Sequence, residues 1–128
     1  RLVIGGRYAA SRGAAARALA RWRRARAKVV FQQRLEAVLK RYSQEGLQQP
    51  ALSIRKLDRR WGGLSRDGSR LVLNIRLIEA GLNEIDYVLT HELAHAIHPD
   101  HGSGFLDLLQ RKLPDWRERK RRLEQELL

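Results

Sequence analysis

The amino-acid sequence predicts an α+β fold in one domain. Residues 14–44 have the composition of a long helix, being rich in alanine, arginine and leucine. A run around Leu71, Leu73 and Ile75 alternates as a strand does, and three further helical segments follow it. At 128 residues the chain is long enough to bury one core without staples, so residues 1–128 are expected to form a single domain.

The first helix carries a stripe of Phe31, Leu35, Val38, Leu39 and Tyr42 at spacings of three and four. Leu19 and Trp22 extend it towards the N-terminus, where arginine takes most apolar positions. Gly46 ends the helix, and Gln48-Gln49-Pro50 is a loop. Two strands follow, one with Leu52, Ile54 and Leu57 and one with Leu71, Leu73 and Ile75. Gly62-Gly63 and Asp67-Gly68 lie between them and supply turn chemistry, so an antiparallel hairpin with a long tip is expected.

Asn83 is expected to cap the next helix, with Glu84 and Asp86 in the first turn, where the helix dipole favours acids. Its apolar face is Ile85, Val88, Leu89, Leu93 and Ala96. Pro99 disfavours helical geometry at His98, which puts the helix end near Ile97 or His98. A loop with Gly102 and Gly104 leads into a short helix over 105–113, stopped by Pro114. Asp115 and Glu118 have the pattern of a capping box for a last, basic helix carrying Trp116, Leu123 and Leu127.

Composition narrows the function. There is no cysteine, so disulfides and thiolate metal sites are excluded. No apolar run is long enough to span a bilayer and the N-terminus is unlike a signal peptide, so a cytoplasmic protein without membrane partners is expected. The absence of methionine, even at position 1, is expected of a trimmed or partial form of a longer product. The net charge is +12, and every charged residue from Arg1 to Arg34 is basic, which points to DNA or RNA, acidic proteins or an anionic surface as partners. A solvated basic helix face is the plainer account of the same charges.

All four histidines lie in a short segment, at positions 91, 95, 98 and 101. His91-Glu92-Leu93-Ala94-His95 is an H-E-x-x-H motif, whose spacing stacks two imidazoles on one helix face so that both reach the same ion. Zinc suits neutral imidazoles, and three protein ligands plus a water is the usual catalytic arrangement. Glu92 is the candidate general base, taking a proton from the zinc-bound water and passing it to the leaving amine. The third ligand is His98 or His101. His98 precedes a proline and would approach along the helix, whereas His101 returns from a loop in a different direction, as tetrahedral geometry requires. His101 is therefore preferred, with His98 at the rim of the site or behind a ligand. An oxyanion donor is also needed; Tyr87, one turn before His91, is a candidate, as are Arg60, Arg111 and Arg117.

The segment from Arg60-Trp61-Gly62 through Asn74-Ile75-Arg76-Leu77-Ile78, the H-E-L-x-H helix and His101 to Phe105 resembles the YgjP-like zinc metallopeptidases. These are relatives of the SprT-like and WLM proteases in the zincin/gluzincin clan. The resemblance covers roughly residues 15–128 and is strong from Arg60 onwards. It implies a zincin-like fold, His101 as third ligand, a polypeptide substrate and an edge strand that takes it by strand addition. Arg60, Trp61 and Asn74 become candidates for the substrate cleft. Trp61 has a second reading as a core aromatic, and Asn74 as a residue that bonds backbone. The family commonly continues Trp-Gly-Ser-Cys, where this chain has Trp61-Gly62-Gly63-Leu64.

A zinc-dependent endopeptidase is thus the leading expectation. The alternatives are a basic nucleic-acid-binding module with structural or absent zinc, a protease acting on DNA-bound proteins, and a zincin-shaped domain that no longer cleaves. The intact Glu92 argues against the last of these.

Overall fold

A computed structural model describes the backbone of residues 2–127 and the side chains of residues 10–127. The chain runs α1 (Leu2–Lys40), β1 (Ala51–Arg55), β2 (Gly62–Leu64), β3 (Arg70–Asn74), α2 (Leu82–Ala94), α3 (Ser103–Lys112) and α4 (Trp116–Leu127). Short 3-10 turns occupy Ser43–Glu45 and Ile75–Glu79. The architecture is α+β, as the sequence predicts.

α1 starts at Leu2 rather than near position 14, and stops at Lys40. Its buried stripe is Ala27, Phe31, Leu35 and Val38, continued by Tyr42 after the helix, all fully inaccessible. Each large apolar side chain buried this way stabilises the fold by ~1.5–3 kcal/mol. The stripe does not reach Leu19 and Trp22, which are 52% and 61% exposed. Among the described residues of α1, none before Ala27 is buried. The described residues before Ala27 therefore stay outside the core, although Arg23 reaches Glu79 and Arg24 the Ile54 carbonyl.

The sheet differs from the expected hairpin. Its order is β1-β3-β2, with β1 parallel to the central β3 and β2 antiparallel to it. The two predicted strands are neighbours, but the real hairpin is β2–β3, and Gly62-Gly63 lies in a strand rather than a turn. A Cβ at Gly62 would stand 2.9 Å from the Val72 carbonyl oxygen, so only glycine lets β2 approach this closely. The hairpin turn is Ser65 to Gly68, closed by Gly68 N–H donating to the Ser65 carbonyl at 2.9 Å with Gly68 at φ 75°. Leu71 and Leu73 face the core as their alternation predicts, but Ile75 opens the 3-10 turn.

α2 packs on α1, β2, α3 and α4. Gly81, not Asn83, is its N-cap. Ile85, Val88, Leu89 and Leu93 are buried as expected, whereas Ala96 is exposed and Ala94 takes the inward place. Past Ala94 the winding tightens to three-residue bonds and ends when His98 N–H donates to the Ala94 carbonyl at 2.9 Å, immediately before Pro99. Asp86 is not a dipole partner but a buried acid gripped by Arg34 of α1 through two bonds of 2.8 and 2.6 Å. At α4 the capping box does not form: Asp115 takes the Arg119 guanidinium, and Glu118 takes Arg121 and Arg122. No helix among the described residues is long and apolar enough to cross a membrane.

Candidate metal centre

α2 presents His91 and His95 one turn apart, and the loop after Pro99 carries His101 back towards them. His95 Nε2 lies 3.1 Å from His101 Nε2, which lies 3.4 Å from His91 Nε2. Nitrogens bound ~2.0–2.1 Å from a tetrahedral ion stand roughly 3.3 Å apart, which both of these separations match, and the ligand atoms of all three residues lie within 4.8 Å of one another. His91, His95 and His101 form the only group of potential ligands of this kind among the described residues.

His95 Nδ1 is 3.1 Å from the His98 carbonyl oxygen. A carbonyl only accepts, so Nδ1 carries the proton and Nε2 is the bare nitrogen turned to the site. His98 thus stands behind His95, and its ring lies against Gly104, where a Cβ would come within 2.7 Å of it. Phe105 is the floor: its ring stacks on His95 at 4.5 Å and meets His91 and His101 at 5.0 and 4.9 Å. Burial, then the neighbouring His95 and His101, lower His91 to about 4, which keeps its imidazole neutral and able to bind a cation. Its Nδ1 is buried without a hydrogen-bond partner. The loop itself is folded by Asp100, whose Oδ1 accepts from Gly102 N–H at 3.2 Å.

Glu92 Oε2 lies 4.0 Å from His91 Nε2. Burial raises its carboxyl to about 7, against the opposing pull of Arg60. That value suits a group that must both accept and release a proton near neutrality. The site opens on a cleft of about 700 Å³ between α2 and β2, walled by Gly62, Gly63 and Leu64 on one side and by His91, Glu92, His95 and His101 on the other. Among the described residues β2 pairs only with β3, so its second edge is open, and Gly62, Gly63 and Leu64 all border this cleft.

The other residues singled out in the sequence fall in different places. Arg60 lines the cleft. Trp61 and Asn74 do not: Trp61 packs half-buried on the core with the Arg76 guanidinium 5.4 Å over its ring. Asn74 donates to the Leu57 and Arg60 carbonyls at 2.9 and 3.0 Å and accepts from Arg76 N–H. Tyr87 is buried behind His91, edge-on to it at 5.9 Å, and burial raises its phenol to about 12. Arg117 stacks on Trp116 at 4.5 Å, and neither it nor Arg111 lines the cleft. Sequence reasoning missed the His98 carbonyl, the glycine seat for its ring, and Ala96 and Pro99 as cleft walls. No sequence signal gives the first two, because both depend on how the loop returns.

No curated protein matches this chain. Solved structures that share its fold include the metallopeptidase zymogen abylysin of Pyrococcus abyssi and the metallopeptidase zymogen jannalysin of Methanocaldococcus jannaschii. The first is 24% identical with a TM-score of 0.66, covering 76% of this chain and 94% of that one. The second is 19% identical with a TM-score of 0.63, covering 77% of this chain and 97% of that one. The profile of the YgjP-like metallopeptidase domain matches residues 6–126, so this histidine-lined cleft sits in a chain that belongs to the YgjP-like metallopeptidase family.

Proposed function

We propose that residues 1–128 form one zinc-dependent peptidase domain in which His91, His95 and His101 hold the ion and Glu92 is the general base. The observation that carries this reading is the convergence of three Nε2 atoms beside a carboxylate raised to about 7. Bound zinc would supply Lewis acidity, polarising the scissile carbonyl and acidifying water. The open edge of β2 hydrogen-bonds an extended polypeptide and fixes its register along the cleft. Glu92 takes a proton from the attacking water at its carboxylate and returns it to the leaving amine. Phe105 beneath the imidazoles excludes water from below and limits their rotation.

The test is Glu92→Gln in zinc-loaded protein. Metal content stays at the wild-type level while hydrolysis of an unstructured protein such as casein falls ~10²–10⁴-fold. A variant as active as the wild type would remove Glu92 from the mechanism.

A second property is favoured by the basic first part of α1, which is exposed and carries no acidic residue before Glu36. DNA or RNA fits such a helix electrostatically, and bound nucleic acid would bring protein substrates held on it to the cleft.

A further inference from the structure

The cleft holds two arginines without a contact partner, although the field of Arg60 reaches Glu92. Arg60 and Arg66 both line it and are exposed, and among the described residues neither guanidinium has an ion-pair or hydrogen-bond partner. Glu92 is the one carboxylate on the cleft wall. The nearby Asp67 is occupied by Ser65 and Ser69, and Asp100 by Gly102 N–H.

Arg60 is also placed with more care than a surface arginine. Asn74 clamps the backbone carbonyls of Leu57 and Arg60, fixing the turn from which the side chain leaves. The guanidinium then lies against β2, where a Cβ on Gly63 would come within 2.7 Å of Nη1. Gly63 thereby provides the seat. A peptide extended along the edge of β2 sends alternate side chains to opposite faces of the sheet, so every second one passes on the Arg60 side. An arginine there offers a planar fork of N–H donors that matches a carboxylate.

We infer that Arg60 forms a carboxylate subsite beside the histidine cluster, so that the favoured substrates carry an aspartate, a glutamate or a free C-terminus close to the scissile bond. Arg66 adds to the field along the cleft. The inference rests on the peptidase reading of the same cleft and names its substrate class.

The test uses peptides of one sequence with Glu, Gln or Lys at each position flanking the cleavage site, each as free acid and as C-terminal amide. Hydrolysis is measured in zinc-loaded wild type, Arg60→Ala, Arg60→Glu and Gly63→Ala, and binding by fluorescence anisotropy in a Glu92→Gln background that keeps the peptides intact. At one position Glu is favoured over Gln by ~10-fold in binding and in KM. The preference falls to within about twofold in Arg60→Ala, reverses towards Lys in Arg60→Glu, and weakens in Gly63→Ala, which keeps the charge but fills its seat. If amidation alone abolishes the preference, the carboxylate is the chain terminus; if it persists in amides, it is a side chain. An undiminished preference in Arg60→Ala overturns the subsite. So does a fall in kcat common to all peptides with KM unchanged, which would make Arg60 an oxyanion donor instead. Arg60-dependent binding of acidic peptides without any hydrolysis would keep the subsite and sink the peptidase reading. Thermal unfolding of each variant separates loss of fold, which is not expected because Asn74 holds only the backbone of Arg60.

Discussion

His98 acts through its backbone. Its carbonyl orients His95, and that oxygen survives when the side chain is removed. His98→Ala is therefore expected to keep one zinc per chain, whereas His101→Ala, which deletes one of three converging nitrogens, loses it; elemental analysis of the purified variants reads both. Zinc lost only from His98→Ala would redraw the site around the end of α2. The pair of imidazoles on α2 was legible because helical spacing alone brings them together. The convergence of His101 was legible only in part: Pro99 removes His98 from the helical direction, but how far the loop folds back depends on Asp100, Gly102 and the packing of Phe105. Tyr87 illustrates the opposite limit. It stands at the spacing that suggests a catalytic phenol, yet the packing of α2 against its neighbours buries it behind His91.

At the scale of elements, two contacts govern how the cleft is held. The Arg34–Asp86 pair fastens α1 to α2 one turn before the first histidine, and Asp86 is almost wholly buried. Arg34→Ala leaves that carboxylate uncompensated and should cost ~3 kcal/mol of stability in denaturant unfolding, several times more than removing an exposed pair such as Lys120–Glu124. The second contact is the β2–β3 turn. Ser69 and Ser65 hold the Asp67 carboxyl down at about 2 from its ordinary 3.8. A depressed carboxylate stabilises the fold above its unfolded value and loses that contribution as pH falls towards the folded one. Stability of the wild type is thus expected to decline between about pH 4 and 2 more steeply than that of Asp67→Asn, in thermal melts across that range. The helices and β3 were readable because their apolar periods match what they bury. β2 was not, since Gly62-Gly63 has poor strand propensity, and it is the close approach of Gly62 to β3 that favours glycine there. Without β2, the parallel neighbours β1 and β3 read as a hairpin.

Across the whole molecule, charge and core are segregated: the buried cluster gathers around α2, and the part of α1 before Ala27, which holds no acid, projects beyond it. Arg24 ties the base of that projection to the sheet by donating twice to the Ile54 carbonyl of β1. Arg17, Arg21 and Lys28 share one helical face, and each phosphate they meet contributes about −0.9 to the slope of log affinity against log salt for duplex DNA. Replacing all three with alanine should flatten the measured slope by roughly 2–3; binding that is insensitive to salt, or absent at low salt, would remove nucleic acid as a partner. The fold class was visible in the sequence because it needs only the order of periodic segments. The sheet order was not, because it is settled by contacts distant along the chain. The compactness of the proposed ligand set has a consequence for folding. All three nitrogens come from eleven consecutive residues, so a denatured chain can gather them with little loss of loop entropy. Zinc would then bind the unfolded ensemble too, and saturating metal should raise the unfolding midpoint by less than its affinity for the native state implies.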